Sequence, residues 1–264
     1  WADVRQNHQH LRINLGCKPA TLDPRITRTD NSHITVKMLY EGLTRMGPDK
    51  KPQLAIAKEV SLSSDCKTYT FILRESYWTD GSPITAYDFL YSWLKVLETQ
   101  SQSIYSYTLH VIKNAKKAQH KLVPLDQVGI QAIDDKTLVV TLEYPVPYFL
   151  ELTSHWTYLL INARIDKDHP GWAYHDGDTY ISNGPFQLKE WNHERKIVLV
   201  KNPYYWDASN VKLEKITISM EDNPHTELKM FAQGEIDMTS SLINGLPLAQ
   251  LQKNVSSEEI VSLP

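Results

Sequence analysis

Histidine and carboxylate residues are the first candidates for chemistry in this 264-residue chain. The pair His193-Glu194 begins the pattern of a zinc peptidase, but position 197, where that pattern needs a second histidine, holds isoleucine. His8 and His10 lie near the start of the chain, where a solvated tail is expected. The spacing of these residues therefore predicts no metal site.

The sequence also shows no pattern typical of acid–base or nucleophilic catalysis. Asp134-Asp135 and Glu258-Glu259 are adjacent pairs, and neighbouring side chains do not converge on a strand or a helix. The sequence contains no G-x-S-x-G elbow, no P-loop and no G-x-G-x-x-G. We therefore predict no catalytic residues, no cofactor and no enzymatic activity.

The composition is typical of a folded soluble protein, with 41% apolar and 22% charged residues. No apolar run approaches the length of a membrane-spanning helix. The 28 basic and 31 acidic residues give a net charge of −3, so nothing in the charge favours nucleic acid as a partner. The aromatic residues include 14 Tyr and 7 Trp, which suit a wet binding cleft but serve equally in half-buried packing.

The two cysteines, Cys17 and Cys66, do not form a disulfide framework and are predicted to be free thiols. The chain opens with Trp1 and shows neither a charged n-region nor an apolar h-region. A signal peptide is therefore either absent or already removed.

Hydrophobic periodicity predicts a mixture of strands and helices. A helix is predicted from 31 to 41, with Ile34, Met38 and Leu39 on one face, and another from 86 to 97 with a capping box formed by Thr85 and Asp88. A third, short helix begins at Asn223 and Pro224 and ends at Gly234. The predicted strands are 11–15, 69–74, 128–133, 137–142, 185–191, 196–201, 213–220 and 235–238. Since these elements do not alternate strictly, the fold class is α/β (mixed α and β) with mixed sheets, not a barrel.

Several short motifs occur together in a fixed order. The order is a T-L-D-P turn, an L-Y-E-G-L helix end, a strand followed by W-T-D-G-S-P and T-A-Y-D, a hairpin followed by P-V-P-Y-F, then N-G-P-F, N-P-Y-Y-W and G-E-I-D-M. They stand at 21–24, 39–43, 69–89, 132–149, 183–186, 202–206 and 234–238. In this order and spacing the chain resembles the periplasmic oligopeptide-binding proteins of ABC importers, a large solute-binding family that also holds dipeptide and nickel binders.

The resemblance implies a two-lobed periplasmic-binding-protein-like fold with mixed sheets. Residues 1–40 and 166–264 would form a discontinuous first lobe, and residues 41–165 an inserted smaller lobe. Family members continue past the position of Pro264 into a further lobe, so the chain is expected to be a fragment that lacks this third lobe.

The resemblance also implies a function. Family members hold an extended peptide between their lobes by its main chain. They deliver it to a membrane permease whose partner subunits hydrolyse ATP. The expected partners are oligopeptides and ABC permease subunits. A monomeric, periplasmic or otherwise extracytoplasmic protein, with or without a membrane anchor, is expected.

Site residues are carried over from the positions that match the family. The segment Thr27, Arg28, Thr29 and Asp30 is the candidate ligand strand, although family members tend to have an acidic residue where Arg28 stands. Tyr105 and Tyr107 match a region that faces the peptide, and Ser240 and Ser241 match polar positions near the hinge. The structural alternatives are a solvated loop before a helix, tyrosines packed under the smaller lobe, and simple capping.

Two other functions stay open from the sequence. One is a dipeptide, nickel or haem binder of the same family. The other is a surface-exposed interaction fragment, such as an adhesin, an antigen or a holdase, that exposes the face covered by a further lobe in family members.

Overall fold

The computed structural model describes residues 9–98 and 103–240. Its strands are β1 His10–Asn14, β2 Thr44–Met46, β3 Pro52–Leu54, β4 Ala57–Leu62, β5 Thr68–Leu73, β6 Ile130–Asp134, β7 Thr137–Thr141, β8 Phe186–Asn192, β9 Lys196–Lys201 and β10 Lys215–Ser219. Its α-helices are α1 Asp30–Leu39, α2 Ala86–Leu97, α3 Ala115–Gln119, α4 Phe149–Leu152, α5 Ala163–Asp168 and α6 Pro224–Ala232. Short 3₁₀ helices cover Ser106–Val111, Leu125–Gln127, Trp156–Tyr158, Trp172–Tyr174 and Ala208–Asn210.

One four-stranded sheet joins the start of the described chain to its end. Its strand order is β1-β10-β9-β8, in which β1 and β10 run parallel and the other pairs are antiparallel. Ile13 lies opposite Ile218, and both are buried in the core. This mixed sheet confirms the predicted fold class.

The second four-stranded sheet has the order β4-β5-β7-β6 and is antiparallel throughout. Strand β5 alternates as its sequence predicts, with Tyr69, Phe71 and Leu73 buried on one face. The predicted hairpin is present, and its register shifts between Ala132 and Asp134. Strands β2 and β3 form a separate two-stranded sheet.

Helix α2 packs across the second sheet. Phe89 and Trp93 on this helix are fully buried, and the Trp93 indole N–H donates to the Tyr158 carbonyl at 2.8 Å. The helix begins where predicted, because the Asp88 carboxylate accepts the Thr85 backbone N–H at 2.8 Å and the Thr85 hydroxyl at 3.1 Å.

Three local predictions need correction. In α1 the fully buried apolar residues are Val36 and Leu39, whereas Ile34 and Met38 are only partly buried. The predicted strand at 235–238 reduces to a single bridge between Ile13 and Met238, because only the edge of β1 is available to it. His10 belongs to β1, where its Nε2 lies 2.8 Å from the Thr217 hydroxyl; His8 lies outside the described residues.

Both thiols are free, as predicted, with Cys17 half-buried and Cys66 exposed. In the described ranges, no helix combines the length and apolar character needed to cross a membrane. The division into lobes at 40–41 and 165–166 stays a prediction.

Candidate functional site

The loop in front of α1 is anchored by a buried ion network. Arg25 Nη2 lies 2.7 Å from an oxygen of Asp23 and 2.7 Å from an oxygen of Asp166 in α5. Asp166 also accepts hydrogen bonds from the Tyr91 hydroxyl at 2.8 Å and the Trp172 indole at 3.1 Å. Burial alone would raise the pKa of Asp166, but the hydrogen bonds and charge of Arg25 outweigh it and lower that pKa. The loop is therefore fixed to α2 and α5.

The backbone that follows this anchor is free to pair. Within the described ranges, neither the N–H nor the C=O of Arg28 has a hydrogen-bond partner, and the N–H of Thr29 has none. The Thr29 side chain caps α1 by accepting the Ser32 N–H at 3.3 Å, which makes it a helix cap as well as a candidate ligand residue. Unpaired backbone donors and acceptors in an extended segment can add a strand from another chain.

His33 joins this segment to the aromatic residues of the predicted smaller lobe. The His33 ring is buried and stacks on Trp156, with ring centroids 3.6 Å apart and an interplanar angle of 14°. Its Nε2 lies 3.3 Å from the carbonyl oxygen of Thr27. One residue therefore contacts the candidate ligand strand on one side and the aromatic group on the other.

Tyr105 completes the aromatic group, which consists of His33, Tyr105, His155 and Trp156 and is called the aromatic junction below. The Tyr105 ring lies 6.0 Å from His33, 5.4 Å from Trp156 and 5.7 Å from His155, always in an edge-to-face arrangement. Tyr107 lies beside Tyr105 at 6.4 Å and is 59% exposed. Such a surface offers apolar faces and polar edges to a bound chain.

The aromatic junction carries a positive electrostatic environment. The Lys37 ammonium lies 5.9 Å from the centroid of the Trp156 ring. Burial, followed by the charges of His33 and Lys37, lowers the pKa of His155 to about 4. The His155 imidazole is therefore neutral at physiological pH, and its Nδ1 accepts the Thr157 N–H at 3.3 Å.

Some polar atoms at this place have no partner among the described residues. They are the Thr27 hydroxyl, the Asn31 side-chain oxygen and the Trp156 indole nitrogen, all of them buried atoms. Buried polar atoms normally find a partner in protein or water. Water or a ligand at the aromatic junction could accept the hydrogen bond of the Trp156 indole.

The structure brings six of the eight predicted site residues to one region. The region holds Thr27, Arg28, Thr29, Tyr105, Tyr107 and the backbone of Asp30, which opens α1; the Asp30 side chain is outside the description. Ser240 lies against Gly16 and donates its N–H to the Glu227 carboxylate, and its role at the site stays a prediction. Ser241 falls outside the described residues.

Sequence reasoning missed His33, Lys37, His155 and Trp156. The available signal was weak: a histidine and a lysine one turn apart on α1, and an adjacent His-Trp pair just after the predicted hairpin region. No group of three or more His, Cys, Asp or Glu residues in the described chain could hold a metal ion.

Comparison with known proteins gives a consistent family. The family model described as bacterial extracellular solute-binding proteins, family 5 Middle, matches residues 51–262. The oligopeptide-binding protein OppA of Bacillus subtilis is 42% identical over 242 residues, which are 91% of this chain and 44% of that protein. The dipeptide-binding protein DppE of the same organism is 39% identical over 228 residues, 86% of this chain and 42% of that protein.

Solved structures agree. The crystal structure of Haemophilus influenzae OppA in complex with the peptide RPPGFSPFR superposes with a TM-score of 0.88 at 30% identity, covering 97% of this chain and 50% of that one. The chain thus spans about half the length of the relatives and structures it matches.

Proposed function

Because this chain belongs to the bacterial extracellular solute-binding proteins of family 5, we propose that it binds oligopeptides along their main chain as part of a receptor for an ABC importer. The free backbone groups of Arg28 and Thr29 beside the aromatic junction support the proposal most directly. An extended peptide would exchange main-chain hydrogen bonds with this segment. Its side chains would lie against Tyr105 and Trp156.

Binding a peptide through its main chain requires little selectivity for its side chains. Main-chain hydrogen bonds are common to all peptides, and ordered water can adapt to different side chains. The receptor would be a non-enzymatic, periplasmic or otherwise extracytoplasmic protein that hands its ligand to a membrane permease. The lobes 1–40 with 166–264 and 41–165 would meet at the aromatic junction, since Thr27 and His33 belong to the first and Tyr105 and Trp156 to the second.

The test is a titration of this chain with tri- to pentapeptides, followed by NMR on the backbone amides and the indole N–H groups. We expect shifts at Arg28, Thr29, Tyr105 and the Trp156 indole, with saturation in the micromolar to millimolar range. Absence of any shift at millimolar peptide, or shifts confined to residues far from the aromatic junction, would contradict the proposal. Ser64, an exposed residue before Cys66, is a useful silent reference.

A second candidate is the dipeptide branch of the same family, which the 39% identity to the dipeptide-binding protein DppE favours. The same titration separates the two. A dipeptide receptor would bind dipeptides more tightly than tetrapeptides, whereas the oligopeptide receptor proposed above would show the opposite order.

A further inference from the structure

Two basic side chains lie beside the candidate ligand strand. Arg28 adjoins the free backbone groups, and its side chain is exposed; Lys37 is exposed on α1, one turn beyond His33. Among the described residues neither side chain forms an ion pair, whereas Arg12, Arg25 and Arg45 each pair with at least one carboxylate. These two cations are therefore available to a ligand.

Two described carboxylates near the candidate ligand strand are already paired with another residue. Asp23 and Asp166 are both engaged by Arg25. From residue 27 to residue 37 the sequence contains two basic side chains, Arg28 and Lys37, and one carboxylate, that of Asp30, so this stretch has a formal charge of +1 when His33 is left out of the count. The charge is local, because the whole chain is negative at −3.

The aromatic junction itself responds to this charge. Apart from burial, the described groups that lower the pKa of His155 are His33 and Lys37. A group whose protonation is opposed by its neighbours lies in a positive potential, and an anion placed there would be attracted. The stack of Lys37 on Trp156 also holds the ammonium at the rim of the junction.

We propose that this site selects, among peptides, those that carry an acidic side chain, with Lys37 and Arg28 as the residues that determine the preference. The inference rests on the proposed function, because it assigns a preference within peptide binding. A carboxylate held near the Trp156 edge would face the Lys37 ammonium, while a carboxylate nearer the start of α1 would face Arg28.

The experiment uses three tetrapeptides with amidated C-termini that differ at one position, which is Glu, Gln or Lys. Each is titrated into this chain at low ionic strength, and the Trp156 indole shift gives the dissociation constant. We expect the Glu peptide to bind about three- to tenfold more tightly than the Gln peptide, and the Lys peptide more weakly than both. Added salt should narrow these differences.

Variants assign the effect to a residue. Lys37→Met keeps an apolar stem over Trp156 and should reduce the Glu-over-Gln ratio toward one, and Lys37→Glu should favour the Lys peptide. Lys117→Met is the matched control, since Lys117 is an exposed lysine on α3, and it should leave the ratio unchanged. Far-UV circular dichroism and melting curves confirm that each variant is folded.

The outcomes are distinct. Equal binding of the three peptides would overturn the preference and leave peptide binding intact. A loss of preference in Lys117→Met as large as in Lys37→Met would overturn the local assignment in favour of a net-charge effect. If no peptide of any charge binds, the proposed function fails and the preference fails with it.

Discussion

The carboxamide of Asn183 holds the backbone of Glu41 from both sides. Its Oδ1 accepts the Glu41 N–H at 3.2 Å and its Nδ2 donates to the Glu41 carbonyl at 3.0 Å. Gly184 follows at a position where a Cβ would lie 2.5 Å from the Leu39 carbonyl carbon, so only glycine fits. Tyr205 donates its hydroxyl to the Glu41 carboxylate. Three sequence motifs thus meet at one point, which gives a physical reason for their occurrence together.

Replacing Asn183 with alanine should destabilise the fold. Asn183 is 2% exposed and Glu41 is 7% exposed, so the substitution leaves two buried backbone groups without partners. We expect a loss of about 2–4 kcal/mol in the free energy of unfolding, measured by urea denaturation. Asn210→Ala is the control, because among the described residues its exposed side chain bonds Asp207 alone, and it should cost less than about 0.5 kcal/mol. A similar small loss for both variants would contradict the bracing role of Asn183.

Replacing Asp88 with alanine should weaken the start of α2 without touching the site. The lost contacts are those to the N–H and hydroxyl of Thr85, and the expected cost is about 1 kcal/mol of stability. Burial raises the pKa of Asp88, although the hydrogen bonds from Thr85 act to lower it. The variant Asp88→Asn keeps a hydrogen-bond acceptor without the charge and should therefore retain most of the stability. Reduced peptide affinity at an unchanged melting temperature would show instead that Asp88 belongs to the site.

The sequence predicted those elements whose signals are local. Helix α2 begins and ends where its cap and its apolar run indicate, and strand β5 follows its alternation within one residue. Strands β2 to β4 were not predicted. Strands β2 and β3 are short, and most residues of β4 are exposed, so these segments show no clear alternation of apolar and polar residues. Which strands they pair with cannot be predicted from a local sequence pattern.

Only part of the candidate site could be predicted from the sequence, because some of its residues meet through contacts between distant parts of the chain. The segment at Thr27 and the tyrosine at 105 came from the family resemblance, whereas His33 and Trp156 meet across a sequence separation that periodicity cannot bridge. The contacts of Ser240 with Gly16 and Glu227 are likewise long-range and could not be read from local sequence. Such long-range contacts depend on the topology of the whole fold, which no local segment of sequence determines.

The two thiols should react at different rates. Cys66 is exposed in a turn, while Cys17 is half-buried and its sulfur accepts the Asn31 side-chain N–H at 3.1 Å. Because access controls thiol chemistry, an alkylating reagent without reductant should modify both residues, Cys66 first, as followed by mass spectrometry of peptides. Two cysteines that resist alkylation until a reductant is added would reveal a disulfide and contradict the free-thiol assignment.

His155 should make the fold sensitive to mild acid. The pKa of His155 falls from 6.5 to about 4 on folding, so between these values the unfolded state binds more protons than the folded state. Stability should therefore be full above about pH 6.5 and decline as pH falls toward 4. Partial exposure screens the charge, and we expect the contribution to be about 1–2 kcal/mol. Urea denaturation from pH 7 to pH 4 measures it, and His155→Gln should decline less steeply than the wild type. Parallel curves for the two proteins would refute the assignment.

His33 should support the site through its ring stack on Trp156 and through its contact with the Thr27 carbonyl. His33→Ala removes the ring stacked on Trp156 and the contact of Nε2 with the Thr27 carbonyl, and leaves a cavity, so we expect a loss of about 2–4 kcal/mol in stability. His33→Phe keeps a stacking ring but loses the polar contact with the Thr27 carbonyl, with an expected loss near 1 kcal/mol.

Peptide binding distinguishes the two roles. If the Thr27 carbonyl contact fixes the ligand strand, His33→Phe should weaken peptide affinity about three- to tenfold while its urea midpoint changes little. The Trp156 indole resonance should stay near its wild-type position in His33→Phe and move in His33→Ala, since only the alanine variant loses the ring above it. Wild-type affinity in both variants would show that the stack serves only the packing between α1 and the 3₁₀ helix Trp156–Tyr158. The free backbone of Arg28 and Thr29 would then position the peptide without help from His33.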